Sequence, residues 1–215
     1  MPPFRCLVAC ALALAVLLGG RAAEAHPHVL VETETQLVFE NGRLIGLAHA
    51  WTFDEMYSTF ATQGLDKDRD GTFTREELAE LTQVNVEHLG QQKFFTVLRH
   101  ERRFVSFGGV RDAWSEVVGG KLRLHFTVPL ATPFAAEGKP VTLQVYDPDY
   151  FVAFSPADGE PMRLVAAPQG CKLDFTPPKT GNAAVGSLSE SFFQALNTNA
   201  NFGQQFAATY TVTCP

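Results

Sequence analysis

From residue 29 the chain alternates: Val29, Val31, Thr33, Thr35 and Leu37 fall on one face, and Leu30, Glu32, Glu34 and Gln36 on the other. This two-residue period predicts a half-buried strand. After Glu40-Asn41-Gly42, a turn signal, a second strand is predicted over Leu44–Trp51. The clearest alternation is Leu122, Leu124, Phe126, Val128 and Leu130, which follows Trp114–Val118 across a Gly119-Gly120 turn. One or two strands are predicted within 94–107, and further short ones at 141–146, 150–154, 162–166, 171–175 and 208–214.

The period changes to helical between the second and third strands. Phe53, Met56, Tyr57, Phe60 and Ala61 recur at helical spacing, with Thr52 and Glu55 placed as a capping box. A weaker helix is predicted from Leu78, Leu81, Val84 and Leu89, with Thr74 as its cap and Glu77 three residues on. A short helix is predicted over 189–196. The expected fold is mainly β: an antiparallel sandwich carrying one helix–loop–helix insertion at about 53–89.

The N-terminal pattern is different. Arg5 precedes an apolar run from Cys6 to Leu18, Gly19-Gly20-Arg21 breaks it, and Ala23-Glu24-Ala25 fits a small-x-small cleavage site. Residues 1–25 are therefore predicted to be a cleaved signal peptide, leaving 26–215 as a single periplasmic domain that does not span the membrane. The whole chain has 17 basic and 23 acidic residues, and loss of Arg5, Arg21 and Glu24 leaves 15 and 22, a net charge of −7. No Lys/Arg cluster of the kind that binds nucleic acid is evident, so no nucleic-acid partner is expected. Cys6 and Cys10 leave with the leader. In an exported chain the two cysteines that remain, Cys171 and Cys214, are predicted to form a disulfide.

The loop between the two predicted helices carries the most specific chemistry. Residues 66–77 read DKDRDGTFTREE, matching the EF-hand calcium-loop pattern D-x-D-x-D-G-x5-E. Asp66, Asp68 and Asp70 supply carboxylates at positions 1, 3 and 5. The Thr72 carbonyl serves position 7, Thr74 serves position 9 through its hydroxyl or a water, and bidentate Glu77 closes the shell. This is an oxygen-rich set suited to Ca²⁺. A single such loop points to a structural rather than a signalling ion.

Cleavage after Ala25 would expose His26, whose α-amine and ring can chelate one ion. Pro27 lacks the amide hydrogen that the common amino-terminal copper/nickel motif needs, which leaves His26 and His28 plus a histidine from elsewhere. His125 is predicted on the outer face of its strand, where it could meet His28. His49 shares parity with Leu47 and Trp51 and is an equal candidate for the core. Ni²⁺, Co²⁺, Cu²⁺ and Zn²⁺ all accept imidazole, so ligand type does not choose among them.

AHPHV at 25–29, HAWTFDEMYSTFATQGLDKDRDG at 49–71, YDPDYFVAF at 146–154, Gly170-Cys171 and the terminal VTCP together resemble the bacterial periplasmic family catalogued as domain of unknown function 1007. Its members are labelled periplasmic components of an uncharacterised ABC-type transport system and are often encoded near nickel/cobalt permeases. The resemblance implies an inner-membrane permease or transporter as partner, and maps onto His26, His28, His49, Thr52–Glu55 and the acidic loop.

Two functions follow as expectations. One is a non-enzymatic metal-binding accessory of a nickel/cobalt-type transport system, with a structural calcium loop. The alternative is a calcium-dependent interaction module of the cell envelope with no transition-metal site. No G-x-S-x-G occurs, and no hydrolase constellation is legible.

Overall fold

A computed structural model describes residues 28–179 and 201–215. The predicted leader, His26 and the predicted 189–196 helix lie outside those residues. The described chain forms two sheets packed face to face. One holds β1 (Val29–Glu40), β2 (Arg43–Phe53), β5 (Arg111–Val118), β6 (Lys121–Ala135), β8 (Val152–Pro156) and β9 (Met162–Val165), in the order β5-β6-β2-β1-β8 with β9 also against β1. The other holds β3 (Thr96–His100), β4 (Arg103–Phe104), β7 (Val141–Val145), β10 (Lys172–Thr176) and β11 (Thr209–Thr213), in the order β10-β11-β7-β3-β4.

The predicted alternation holds where it was clearest. In β6, Leu122, Leu124, Phe126, Val128 and Leu130 all point inward and are buried. In β1, Val31, Thr33, Thr35 and Leu37 are buried between the sheets. One expectation is corrected: the sandwich is not wholly antiparallel. β1 pairs in parallel with both β8 and β9, using Val29–Thr33 for one and Thr35–Val38 for the other. Neither strand is joined to β1 by a short connection, which a parallel pair could not use.

Leu37, Leu44, Leu47, Leu98, Leu143 and Val212 form one core cluster between the sheets. Val31, Trp51, Phe53, Phe94, Leu124 and Phe126 form a second, nearer the helices. At the latter end Lys93, Phe94 and Phe95 all take positive φ, at 51°, 58° and 46°. Left-handed backbone costs a non-glycine residue roughly 1–2 kcal/mol. Burial of the Phe94 ring in the core offsets that cost.

Cys171 and Cys214 are disulfide-bonded, as expected. The bond joins the segment before β10 to the chain end after β11. The YDPDYF turn is built on Asp147, whose carboxylate accepts the N–H groups of Asp149, Phe151 and Val152. Gly203 packs on that turn so tightly that a Cβ would fall 1.7 Å from the Asp147 carbonyl oxygen. Only glycine fits there.

Candidate functional site

The insertion between β2 and β3 comprises α1 (Glu55–Ala61), the acidic loop and α2 (Ala79–Gln91). α1 starts two residues later than the Thr52/Glu55 capping box predicts. Its N-cap is Asp54: Oδ1 accepts the Tyr57 N–H at 2.9 Å, and Oδ2 accepts the Leu30 N–H at 2.8 Å. One carboxylate thus starts the helix and ties it to β1. Thr52 remains a strand residue.

The face that α1 buries also differs from expectation. Met56 and Phe60 are 80% and 76% exposed, whereas Ser58 is 1% exposed. Tyr57, Ser58, Ala61 and Thr62 form the inward stripe. Ser58 decides the rotation: its hydroxyl donates to the Asp54 carbonyl at 2.6 Å and accepts the buried Leu122 N–H of β6 at 2.8 Å. A short polar anchor overrides a two-residue apolar face on so short a helix.

α2 is docked by a second buried polar pair, Thr82 Oγ1 to Ser115 Oγ at 2.7 Å, and by Leu78, which is fully buried. Tyr57 links the helices by donating its hydroxyl to Asn85 at 3.2 Å. Burial, with the Asp54 charge adding to it, raises the Tyr57 pKa, so the phenol stays a donor. The acidic loop therefore hangs between two helices that are each fixed to the β5–β6 edge.

Within the loop, Asp66, Asp68 and Asp70 each offer a carboxylate oxygen, and these oxygens lie within 4.8 Å of one another. Backbone N–H groups hold them there. The Asp66 carboxylate accepts from Asp70 and Gly71, Asp68 from Asp70, and Asp70 from Thr72. Gly71 has φ +83°, the left-handed turn that the sixth loop position calls for. Glu77 folds back over the loop. One oxygen accepts the Lys67 N–H at 2.7 Å, beside Asp66, and the other accepts the Thr74 N–H at 2.9 Å. These bonds, that from the Thr74 backbone foremost, lower the Glu77 pKa.

Thr74 and Glu77 do make reciprocal bonds, since the Thr74 hydroxyl donates to Glu77 and accepts the Glu77 N–H at 3.2 Å, but they close the turn ahead of α2, which starts at Ala79 with Leu78 as its N-cap and no side-chain cap. The Thr74 hydroxyl is therefore committed to Glu77, and the Thr72 hydroxyl donates to Asp70. The donor types fit a hard divalent cation: three clustered carboxylates, and a fourth, Glu77, bonded to the backbone N–H of Lys67 next in the chain to Asp66.

The candidate histidines do not converge. His28 precedes β1, is exposed, and packs its ring 4.3 Å from that of Phe151. His125 lies opposite Ala50, which in turn lies opposite Glu34 of β1. That is six residues along the strand from His28, a separation of about 20 Å, so the two cannot meet. His125 instead hydrogen-bonds through Nε2 to the Glu116 carboxylate at 2.9 Å and stacks on Trp114 with centroids 3.8 Å apart.

His49 faces the other way, into the core. It is 3% exposed, its Nδ1 is 2.9 Å from the Thr35 hydroxyl, and it stacks on Phe126. Burial pushes its pKa from 6.5 down to about 3, so the ring is neutral. Nε2 has no hydrogen-bond partner. Register and face thus keep His28, His49 and His125 apart in this structure.

Three features had no plain sequence signal. Arg75, at loop position 10, lies 3.7 Å over the Trp114 ring, whose other partner is His125. The loop is thereby pinned to β5 by a cation–π contact between residues far apart in the chain. Ser58 and Thr82 are small polar residues on helix faces and announce their docking only once β5 and β6 are in place.

The sequence pattern described as "Protein of unknown function (DUF1007)" matches residues 11–214. The chain belongs to this family. The DUF1007 match includes the insertion, both sheets and the disulfide. The chain is also similar to a protein named "Uncharacterized protein" from Haemophilus influenzae (strain ATCC 51907 / DSM 11121 / KW20 / Rd). The two are 25% identical over 192 residues, covering 88% of this chain and 91% of the relative. Among the described residues no helix is long and apolar enough to cross a membrane.

Proposed function

We propose that this protein is a calcium-binding accessory of the bacterial cell envelope, in which Asp66, Asp68, Asp70 and Glu77 hold one Ca²⁺ and stiffen the helical insertion. The observation that carries the reading is the cluster of three carboxylates within 4.8 Å, together with Glu77 folded back to the loop start. Like charges held this close favour a cation that shares them. The ion would supply charge neutralisation and coordination. The chain's own residues orient the carboxylates, through the loop N–H groups, and fix the loop to the sandwich, through Ser58, Thr82 and Arg75. The disulfide is compatible with an oxidising, extracytoplasmic compartment.

The role in transition-metal transport is the second reading, and family resemblance is its support. Of the candidate ligands, His28 is exposed, and with His26 it would form the site at the processed terminus.

The test is thermal unfolding of the processed protein with and without Ca²⁺. Calcium at about 100 times its dissociation constant should add nearly 3 kcal/mol, and Glu77→Gln and Asp66→Ala should each abolish the gain. An unchanged midpoint in millimolar Ca²⁺ would overturn the calcium reading. Titration with Ni²⁺, Co²⁺, Cu²⁺ and Zn²⁺, before and after substituting His26 and His28, addresses the transport reading separately.

A further inference from the structure

The charge on this molecule is polarised along the sandwich. α1 follows the C-terminal end of β2, and Arg75 of the acidic loop rests on Trp114, level with Ala50, so the loop that carries Asp66, Asp68, Asp70 and Glu77 lies beside β5 and nearer that end than the β1–β2 turn. The β3–β4 turn lies at the other end: His100 stacks on Phe134, which pairs with Leu44 beside the β1–β2 turn. In a chain of formal charge −6, this opposite end is basic.

Residues 101–104 are four consecutive exposed positions, and Phe104 is 69% exposed. The turn is tight, with Glu101 and Arg102 at φ 53° and 65°. The Glu101 carboxylate is paired with Lys139. The Arg99 guanidinium lies 4.1 Å over the Phe104 ring. Arg102 and Arg103 form no close ion pair among the described residues, although the Arg103 charge, after that of Lys139, acts on Glu101. Glu40, on the adjoining β1–β2 turn, and Glu137, between β6 and β7, are the further carboxylates at this end, against Arg43, Arg99, Arg102, Arg103 and Lys139.

We propose that the β3–β4 hairpin is a docking surface for a lipid bilayer that carries anionic headgroups. Guanidinium groups pair with phosphate in bidentate fashion. The exposed Phe104 ring beside Arg103 would reach the boundary between headgroups and acyl chains, where apolar groups of interfacial proteins lie. Clustered arginines are attracted to such a surface, while the acidic loop at the far end is directed away from it. β4 is only two residues long, too short a free edge to template an added peptide strand. A lipid surface requires neither edge nor groove. The inference is independent of the calcium reading.

The test is co-sedimentation of the protein recovered after export with vesicles of phosphatidylcholine alone or with added phosphatidylglycerol. Binding should appear on the anionic vesicles only and fall steeply with salt. Arg102→Ala with Arg103→Ala should lower the partition coefficient about thirty-fold, from roughly 1 kcal/mol per basic residue near the surface. Met56→Ser with Phe60→Ser, at the opposite end, should leave it unchanged. Equal binding to both vesicle types, or loss of binding in the Met56/Phe60 variant alone, would overturn the proposal. So would a wild-type protein that ignores vesicles and binds polyglutamate. Because all four substituted side chains are exposed, circular dichroism should show every variant folded, and the salt dependence of the wild type tests the proposal without any variant.

Discussion

His49 makes this fold acid-sensitive in a window above that of the shifted carboxylates. The ring is enclosed by Trp51, Phe126 and Thr35, and burial brings its pKa to about 3, against 6.5 for the free side chain. The unfolded chain therefore takes up a proton on His49 below pH 6.5, while the folded chain does so only near pH 3. Its contribution to stability is complete above pH 6.5 and is lost as the pH falls through this interval. At 1.36 kcal/mol per unit, the loss is about 2 kcal/mol by pH 5 and about 3 kcal/mol by pH 4. Glu77 and Glu101, whose pKa values are lowered from 4.5, begin to act only below that value. The interval from pH 6.5 to 5 thus isolates the histidine from them. Urea unfolding followed by circular dichroism at pH 7, 6 and 5 measures the slope directly. His49→Gln should flatten it whatever the variant's absolute stability. Wild-type stability constant to within about 0.5 kcal/mol over this range, or the same slope in His49→Gln, would refute the assignment of a neutral buried ring.

Two further outcomes follow from the docking and closure of the fold. Ser58→Ala removes the acceptor for the buried Leu122 N–H, at a cost of about 1–3 kcal/mol; a shift in urea midpoint worth less than 0.5 kcal/mol would show that the hydroxyl does not anchor α1. Reducing Cys171–Cys214 opens a closure spanning 43 residues, with an expected loss of about 4 kcal/mol on the chain-entropy account. Melting with and without reductant checks this, and an unchanged midpoint would argue against any such contribution.

What could be read directly from the chain was local. The alternation of Leu122 to Leu130 specified both a strand and its buried face, because side chains on a strand repeat every two residues whatever the partner. The dodecapeptide from Asp66 to Glu77 specified its own turn, since its carboxylates bond to N–H groups only two to five residues away. The reciprocal Thr74–Glu77 bonds are legible for the same reason, although α2 itself starts only at Ala79.

Tertiary pairing decided the rest. The rotation of α1 was misjudged from Met56 and Phe60, because a seven-residue helix takes its orientation from Asp54 on Leu30 and Ser58 on Leu122, bonds that span 24 and 64 residues. The parallel seating of β8 and β9 beside β1 left no periodic trace, since parallel and antiparallel strands share a side-chain period. The histidines look like one constellation along the chain. Strand register separates His28 from His125, and the pleat turns His49 inward. Ligand convergence depends on contacts between distant segments, and a linear sequence carries the residue types for such contacts but not the distances between them.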